Sequence, residues 1–188
     1  MWLPKEFTAL PDIYHADPAS RLGAGTFGLV IAGHQTLTGE RVAIKCIQIR
    51  TDEEEDLIKR ELDTLSILME PGHKHVLPLW DHVWLSNGAL GVFPRCDCTL
   101  RRYRMTNSDF LDWDMVRSLN LQICMGIDYC HSCAVQHGDL HPGNILLELS
   151  ENMEPCVRIV DFGASAVLKD CGHRPIPTIP RGVVRVAV

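Results

Sequence analysis

Gly23-Ala24-Gly25-Thr26-Phe27-Gly28-Leu29-Val30 carries three glycines at G-x-G-x-x-G spacing, and the type of element that comes after them decides the fold. Glycines running from a strand straight into a helix, with an acidic residue about twenty positions on, would open a dinucleotide-binding unit. Here they run into Leu29-Val30-Ile31 and, past the turn-like Thr38-Gly39-Glu40, into Val42-Ala43-Ile44. Both runs are β-rich and read as antiparallel strands. A glycine loop between two strands lets backbone N–H groups approach phosphates without side-chain interference. Glycine triplets also occur in ordinary turns, so the loop needs support from the rest of the chain.

That support begins at Lys45, which ends Val42-Ala43-Ile44-Lys45 and would present an ammonium from a strand. Alone it could be any surface lysine. From Asp52 to Met69, Leu57, Ile58, Glu61, Leu65 and Leu68 recur at three-to-four spacing behind the acidic run Asp52-Glu53-Glu54-Glu55, which predicts one helix with a favourable N-terminal charge. Pro71-Gly72 ends it. Glu61 stands among apolar neighbours on that helix, where an ion pair would aim Lys45. Apolar stretches around 76–84 and 89–93, joined through Ser86-Asn87-Gly88, predict a second hairpin. Five strands and one helix would make a small lobe.

Farther on the pattern turns helical. Val116, Leu119, Ile123, Ile127 and Cys130 predict a long amphipathic helix near 112–134, succeeded by short strands at 145–147 and 157–160. His137-Gly138-Asp139-Leu140-His141-Pro142-Gly143-Asn144 then offers Asp139 to take or orient the proton of an attacking hydroxyl, with Asn144 as a magnesium ligand. Asp161-Phe162-Gly163 comes after an apolar strand, and Asp161 would chelate the magnesium that bridges phosphates. Asp-Phe-Gly by itself is more often a turn. The order of the five elements is what carries weight.

Composition narrows the classes. A net charge of -6, with Lys+Arg 18 against Asp+Glu 24, leaves no basic footprint, so nucleic-acid binding is not expected. No run approaches the length of a membrane span and the N-terminus lacks a signal pattern, so the reading is an intracellular protein of cytoplasm or nucleus without a membrane partner. Among the eight cysteines, Cys96-x-Cys98 and Cys130-x-x-Cys133 have no second pair at zinc spacing and read as plain thiols.

From about Arg21 to Gly163 the chain resembles the eukaryotic-type protein kinases, in their serine/threonine form. The resemblance implies an α+β fold with a five-stranded antiparallel N-lobe and one helix, then an incomplete, mainly helical C-lobe. Residues 1–19, with Pro4, Pro11 and Pro18 and no clear period, read as an extension, and the resemblance implies a kinase domain over 20–188, with an N-lobe over about 20–96 and a partial C-lobe over about 97–188. It implies ATP and Mg2+ as cofactors, with Lys45, Glu61 and Asp139 as catalytic residues and Asn144 and Asp161 as metal ligands. Leu22, Gly23, Gly25, Gly28, Val30, Ala43, Lys45 and Leu146 would surround the nucleotide, with Phe93 as gatekeeper and Pro94-Arg95-Cys96 as the hinge. Leu65, Leu79, His137 and Phe162 would stack as a regulatory spine. The segments His75–Leu79 and Val92–Leu100 are similar to the serine/threonine kinases of alphaherpesviruses, which would place the protein in a host cell.

The sequence departs from the kinase pattern in three places. Gly138 stands where an arginine is usual, removing the cation that would grip a phosphorylated activation loop. His141 stands where a lysine is usual, so an imidazole would meet the transferred phosphate. After Gly163 no Ala-Pro-Glu segment appears, and Pro175, Pro177 and Pro180 forbid a regular helix. That ending suggests a truncated C-lobe whose long helix would self-associate or cover itself with a partner kinase. It leaves two alternatives to a kinase acting on protein substrates. One is a non-catalytic nucleotide-binding module or decoy that regulates another kinase. The other is an aminoglycoside-type small-molecule phosphotransferase, which the catalytic-loop string also resembles.

Overall fold

The computed structural model describes residue 10 and residues 12–25, 28–107, 112–150 and 153–168. The loop tip Thr26-Phe27, the prolines Pro4, Pro11, Pro175, Pro177 and Pro180, and the stretch expected to end the C-lobe lie outside the described residues. The architecture is α+β. One antiparallel sheet runs in the order β1-β2-β3-β5-β4, from β1 (Tyr14–Gly25), β2 (Gly28–Gln35), β3 (Arg41–Gln48), β4 (Asp81–Leu85) and β5 (Gly88–Pro94). The strand–glycine loop–strand reading holds, with Gly25 paired to Gly28 at the loop.

Period-two alternation divides this sheet. Leu29, Ile31, Val42, Ile44, Cys46, Leu90 and Val92 are buried in one cluster. Val30, Ala43, Lys45 and Phe93 occupy the opposite face, each partly buried. β1 opens inside the stretch 1–19 that sequence suggests is an extension. It is an edge strand, so Pro18 removes no ladder bond that a central strand would need, and its register shifts between Asp17 and Arg21.

Between β3 and β4 lies α1 (Asp52–Leu68), matching the helix expected from the acidic turn and the apolar period. Thr51 caps it, its hydroxyl accepting from the Glu54 N–H at 3.2 Å. Glu54 in turn accepts from the Arg50 N–H at 2.7 Å. Ile58, Glu61, Thr64, Leu65 and Leu68 form its buried stripe. The strand expected around 76–84 starts only at Asp81. Residues 75–77 turn instead to the second half of the molecule, where Leu77 N–H donates to the Ile159 carbonyl at 3.0 Å and Ile159 N–H to the His75 carbonyl at 2.9 Å.

The second half holds β6 (Cys98–Thr99), α2 (Leu100–Thr106), α3 (Trp113–Ser132), β7 (Val135–Gln136), β8 (Ile145–Ser150), β9 (Met153–Ile159) and β10 (Ala166–Val167). β6, β8 and β9 make a three-stranded sheet, and β7 pairs with β10. The catalytic-loop stretch is thereby slung between β7 and β8, and Asp161-Phe162-Gly163 between β9 and β10. α3 approaches β9 closely at Gly126, where a Cβ would lie 2.7 Å from Ile159 Cδ1 and 3.0 Å from the His75 carbonyl oxygen. One core joins the halves, with Leu65 and Leu68 of α1, Leu79, Leu119 of α3, Leu147 and Phe162 all buried in it. Among the described residues no helix is long and apolar enough to cross a membrane.

Candidate active site

Strand register brings the N-lobe residues together. Val30 pairs with Lys45, Ala43 with Phe93, and Lys45 with Gly91, so all stand on the face turned away from the first cluster. Leu22 sits at the irregularity between Arg21 and Gly23 and is exposed. The glycines differ in what holds them. A Cβ on Gly28 would lie 1.9 Å from the Cys46 carbonyl oxygen, so strand packing alone demands glycine there. A Cβ on Gly23 would meet nothing within 4 Å among the described residues.

Lys45 Nζ lies 2.6 Å from Glu61 Oε1 and 3.5 Å from Asp161 Oδ1. β3 aims the lysine, the buried stripe of α1 carries Glu61, and Asp161 comes from the turn after β9. The lysine and glutamate side chains are 20% and 10% exposed, so the pair is largely withdrawn from water and firmly placed. Asp161 itself has φ 66, the left-handed region that costs a non-glycine residue about 1–3 kcal/mol. Its neighbours hold it there. Phe162 is 1% exposed, with its ring 4.8 Å from that of His137. Ser165 Oγ donates to Thr64 Oγ1 of α1 at 3.1 Å.

Two histidines shape the loop between β7 and β8. The Val160 carbonyl accepts from His137 Nε2 at 2.9 Å, while His137 Nδ1 accepts from the Asp139 N–H at 3.3 Å. That pattern assigns the Nε2–H tautomer. Asn144 Nδ2 donates to the Asp139 carbonyl at 3.0 Å and approaches Asp139 Oδ2 at 3.3 Å. The amide oxygen of Asn144 is left for another partner. Gly138 has φ 82, and a Cβ there would fall 2.2 Å from the Ala164 carbonyl oxygen. The usual arginine is therefore absent for a steric reason as well as a conformational one.

After β5, where the resemblance would place a hinge, Arg95 N–H donates to the Arg41 carbonyl at 3.1 Å and Asp97 N–H to the Leu147 carbonyl at 2.9 Å. Burial, with Glu148 nearby, pushes the Cys96 thiol up to about 12, so it stays protonated and inert near neutrality. Leu146 pairs with Thr99 and is partly buried on β8. Of the residues expected to stack, Leu65, Leu79 and Phe162 share one buried cluster, and His137 touches it through Phe162.

Sequence reading misses three supporting residues: Thr64, Ser165 and Gly143. A threonine on the buried stripe of α1 was a signal for the first. Gly143 shows itself only in structure, where a Cβ would lie 2.6 Å from His141 Cε1.

A family model described as the protein kinase domain matches residues 17–179. The serine/threonine protein kinase OSK3 of Oryza sativa subsp. indica is 35% identical over 155 residues, which cover 81% of this chain and 29% of that protein. The serine/threonine protein kinase OSK4 of the same plant matches to the same extent. The chain thus spans about a third of the length of the curated relatives it matches.

Proposed function

We propose that this chain, which belongs to the protein kinase family, provides the nucleotide and metal site of an ATP- and magnesium-dependent serine/threonine kinase. The observation that carries the reading is Lys45 held between Glu61 at 2.6 Å and Asp161 at 3.5 Å. A lysine fixed by a helix glutamate beside an aspartate suits a cation that must reach phosphates lying next to a metal. Gly23 adds to it, since among the described residues nothing fills the space beside it and a phosphate chain could.

The donor set fits magnesium. Asn144 and Asp161 offer hard oxygen ligands, and magnesium is commonly bound by one or two such side chains together with substrate phosphates. When bound, the ion would supply charge neutralisation at those phosphates. The chain's own groups account for the rest. Lys45 orients the α- and β-phosphates, and the Val30, Ala43 and Leu146 side chains enclose the adenine, with Phe93, Arg95 and Cys96 along its edge. A serine or threonine hydroxyl oxygen attacks the γ-phosphorus, and the bond from that phosphorus to the β,γ-bridging oxygen breaks to release ADP. Asp139 takes the hydroxyl proton. Its Oδ2 is the oxygen that Asn144 approaches, which leaves Oδ1 to face the acceptor.

The test is a transfer assay on the purified chain with γ-labelled ATP, magnesium and a mixed serine/threonine peptide substrate. Label should move to the peptides and be lost in K45A and D139A. Transfer that persists in D139A would refute the assignment. ATP binding without transfer by the wild type would refute the catalytic part and leave a nucleotide-binding module.

A further inference from the structure

The geometry points to His141 as a positioning residue for Asp139, holding its carboxylate through a neutral imidazole whose tautomer the backbone sets. This deepens the reading of Asp139 as the proton acceptor and rests on it. Gly143 N–H donates to His141 Nδ1 at 2.9 Å. An imidazole nitrogen that accepts carries no proton, so the ring hydrogen sits on Nε2. Nε2 lies 3.7 Å from Asp139 Oδ2. Hydrogen bonds at catalytic groups are often long at rest and tighten as the reacting groups arrive.

The arrangement repeats the one at His137. There too a backbone N–H two residues on donates to Nδ1, and the Nε2–H goes to an oxygen, the Val160 carbonyl. One histidine fixes the loop from behind, and the second faces the carboxylate. Gly143 makes this possible, because any Cβ there would fall 2.6 Å from His141 Cε1 and 2.9 Å from Nδ1. Asn144 Nδ2 approaches the same Oδ2 at 3.3 Å. Asn144 already contacts Oδ2, and on this proposal the His141 N–H closes from 3.7 Å onto the same oxygen as the acceptor arrives, leaving Oδ1 for the hydroxyl. The imidazole thus acts on Asp139 and not on the nucleotide.

Three measurements on the full chain test this. Nitrogen-15 NMR of the wild type should show the His141 ring as the Nε2–H tautomer, with its signal shifted by D139N. An Nδ1–H ring or an imidazolium would overturn the proposal, and this arm needs no turnover. In the transfer assay H141A should lower kcat by about tenfold, a fraction of what a general base contributes, with KM for ATP changed less than about twofold. H141Q, whose amide can accept at one end and donate at the other, should recover to within about threefold of wild type. An H141A effect confined to KM for ATP would mean a nucleotide contact and overturn the proposal. D139N separates the two readings. If D139N is inactive while H141A and H141Q match wild type, only the positioning role falls; if D139N is fully active, both fall.

Discussion

Removing either partner of the Lys45–Glu61 pair should have unequal effects on stability, and the inequality arises from the third group. In K45A the Glu61 carboxylate, 10% exposed, keeps no partner among the described contacts. Leaving one charge of a buried pair uncompensated costs about 3 kcal/mol. In E61Q the lysine keeps Asp161 at 3.5 Å, and the new amide oxygen can still accept from Nζ. That loss should be about 1 kcal/mol, the difference between a charged and a neutral hydrogen bond. For a chain of this length each kcal/mol moves Tm by about 2–4 °C, so K45A should fall by about 6–12 °C and E61Q by about 2–4 °C. Thermal unfolding monitored by circular dichroism reads both. ATP with magnesium at about a hundred times Kd should raise the wild-type stability by about 2.7 kcal/mol and leave K45A nearly unmoved. Equal losses in the two variants, or a larger one in E61Q, would show that Asp161 gives Lys45 no second hold.

Gly28 and Gly23 of the glycine-rich stretch should separate in the same assay. G28A should cost about 3 kcal/mol, because its Cβ would sit 1.9 Å from the Cys46 carbonyl oxygen and force β2 from β3. G23A should leave the melting temperature unchanged while weakening ATP binding; a stable G28A would contradict the packing argument. Restoring the usual arginine as G138R should destabilise by about 2–4 kcal/mol in urea unfolding, since φ 82 and the Ala164 carbonyl both oppose a side chain. Stability should also fall as pH drops through the ordinary imidazole value of 6.5, because burial lowers the His75 pKa and the unfolded chain then binds the extra proton. His73, lowered by burial as well, adds to the slope. Urea midpoints at pH 7.5 and 5.5 would show this, and an H75Q variant with an unchanged slope would count against it.

Much of the N-lobe was legible because local and global signals agree there. The acidic turn, the apolar period and Pro71-Gly72 bound α1 to within a residue or two of Asp52–Leu68. Ser86-Asn87 joins β4 to β5 where the hairpin is expected, although neither residue takes the positive φ of the favoured primed turns. What escaped lacks a periodic signal. β1 takes in His15-Ala16-Asp17-Pro18, a polar stretch that only an edge position tolerates. α2 buries a single side chain, Leu100, so no stripe marks it. Val76 and Leu77 look like strand but bury into the core and pair with β9, a choice made by tertiary contact. Candidate site residues could be proposed from motif order, yet the contacts that hold them in place could not. Neither the contact of Ser165 with Thr64 nor the room that Gly143 leaves for His141 is written in a local pattern.

The departures at 138, 141 and 143 make sense as one set. The kinase resemblance places cations at 138 and 141, on either side of Asp139. Here the first is replaced by a glycine whose backbone lies against Ala164, tying the loop to the segment after Asp161-Phe162-Gly163 by close approach instead of by charge. The second is replaced by an imidazole that the Gly143 N–H holds in one tautomer. A lysine at 141 would bring a mobile charge beside the carboxylate; a ring fixed at one nitrogen brings a directed N–H. With no formal cation from these two positions, the positive charge of the site comes from Lys45, and Glu61 and Asp161 already share it. One cation against the carboxylates of Glu61, Asp161 and Asp139 leaves the site formally net negative before a nucleotide enters. On the proposed reading, added phosphate charge would be met largely by magnesium held at Asn144 and Asp161, so nucleotide affinity should depend steeply on magnesium. ATP titrations with and without magnesium would test that dependence, and equal affinity in the two would remove the argument.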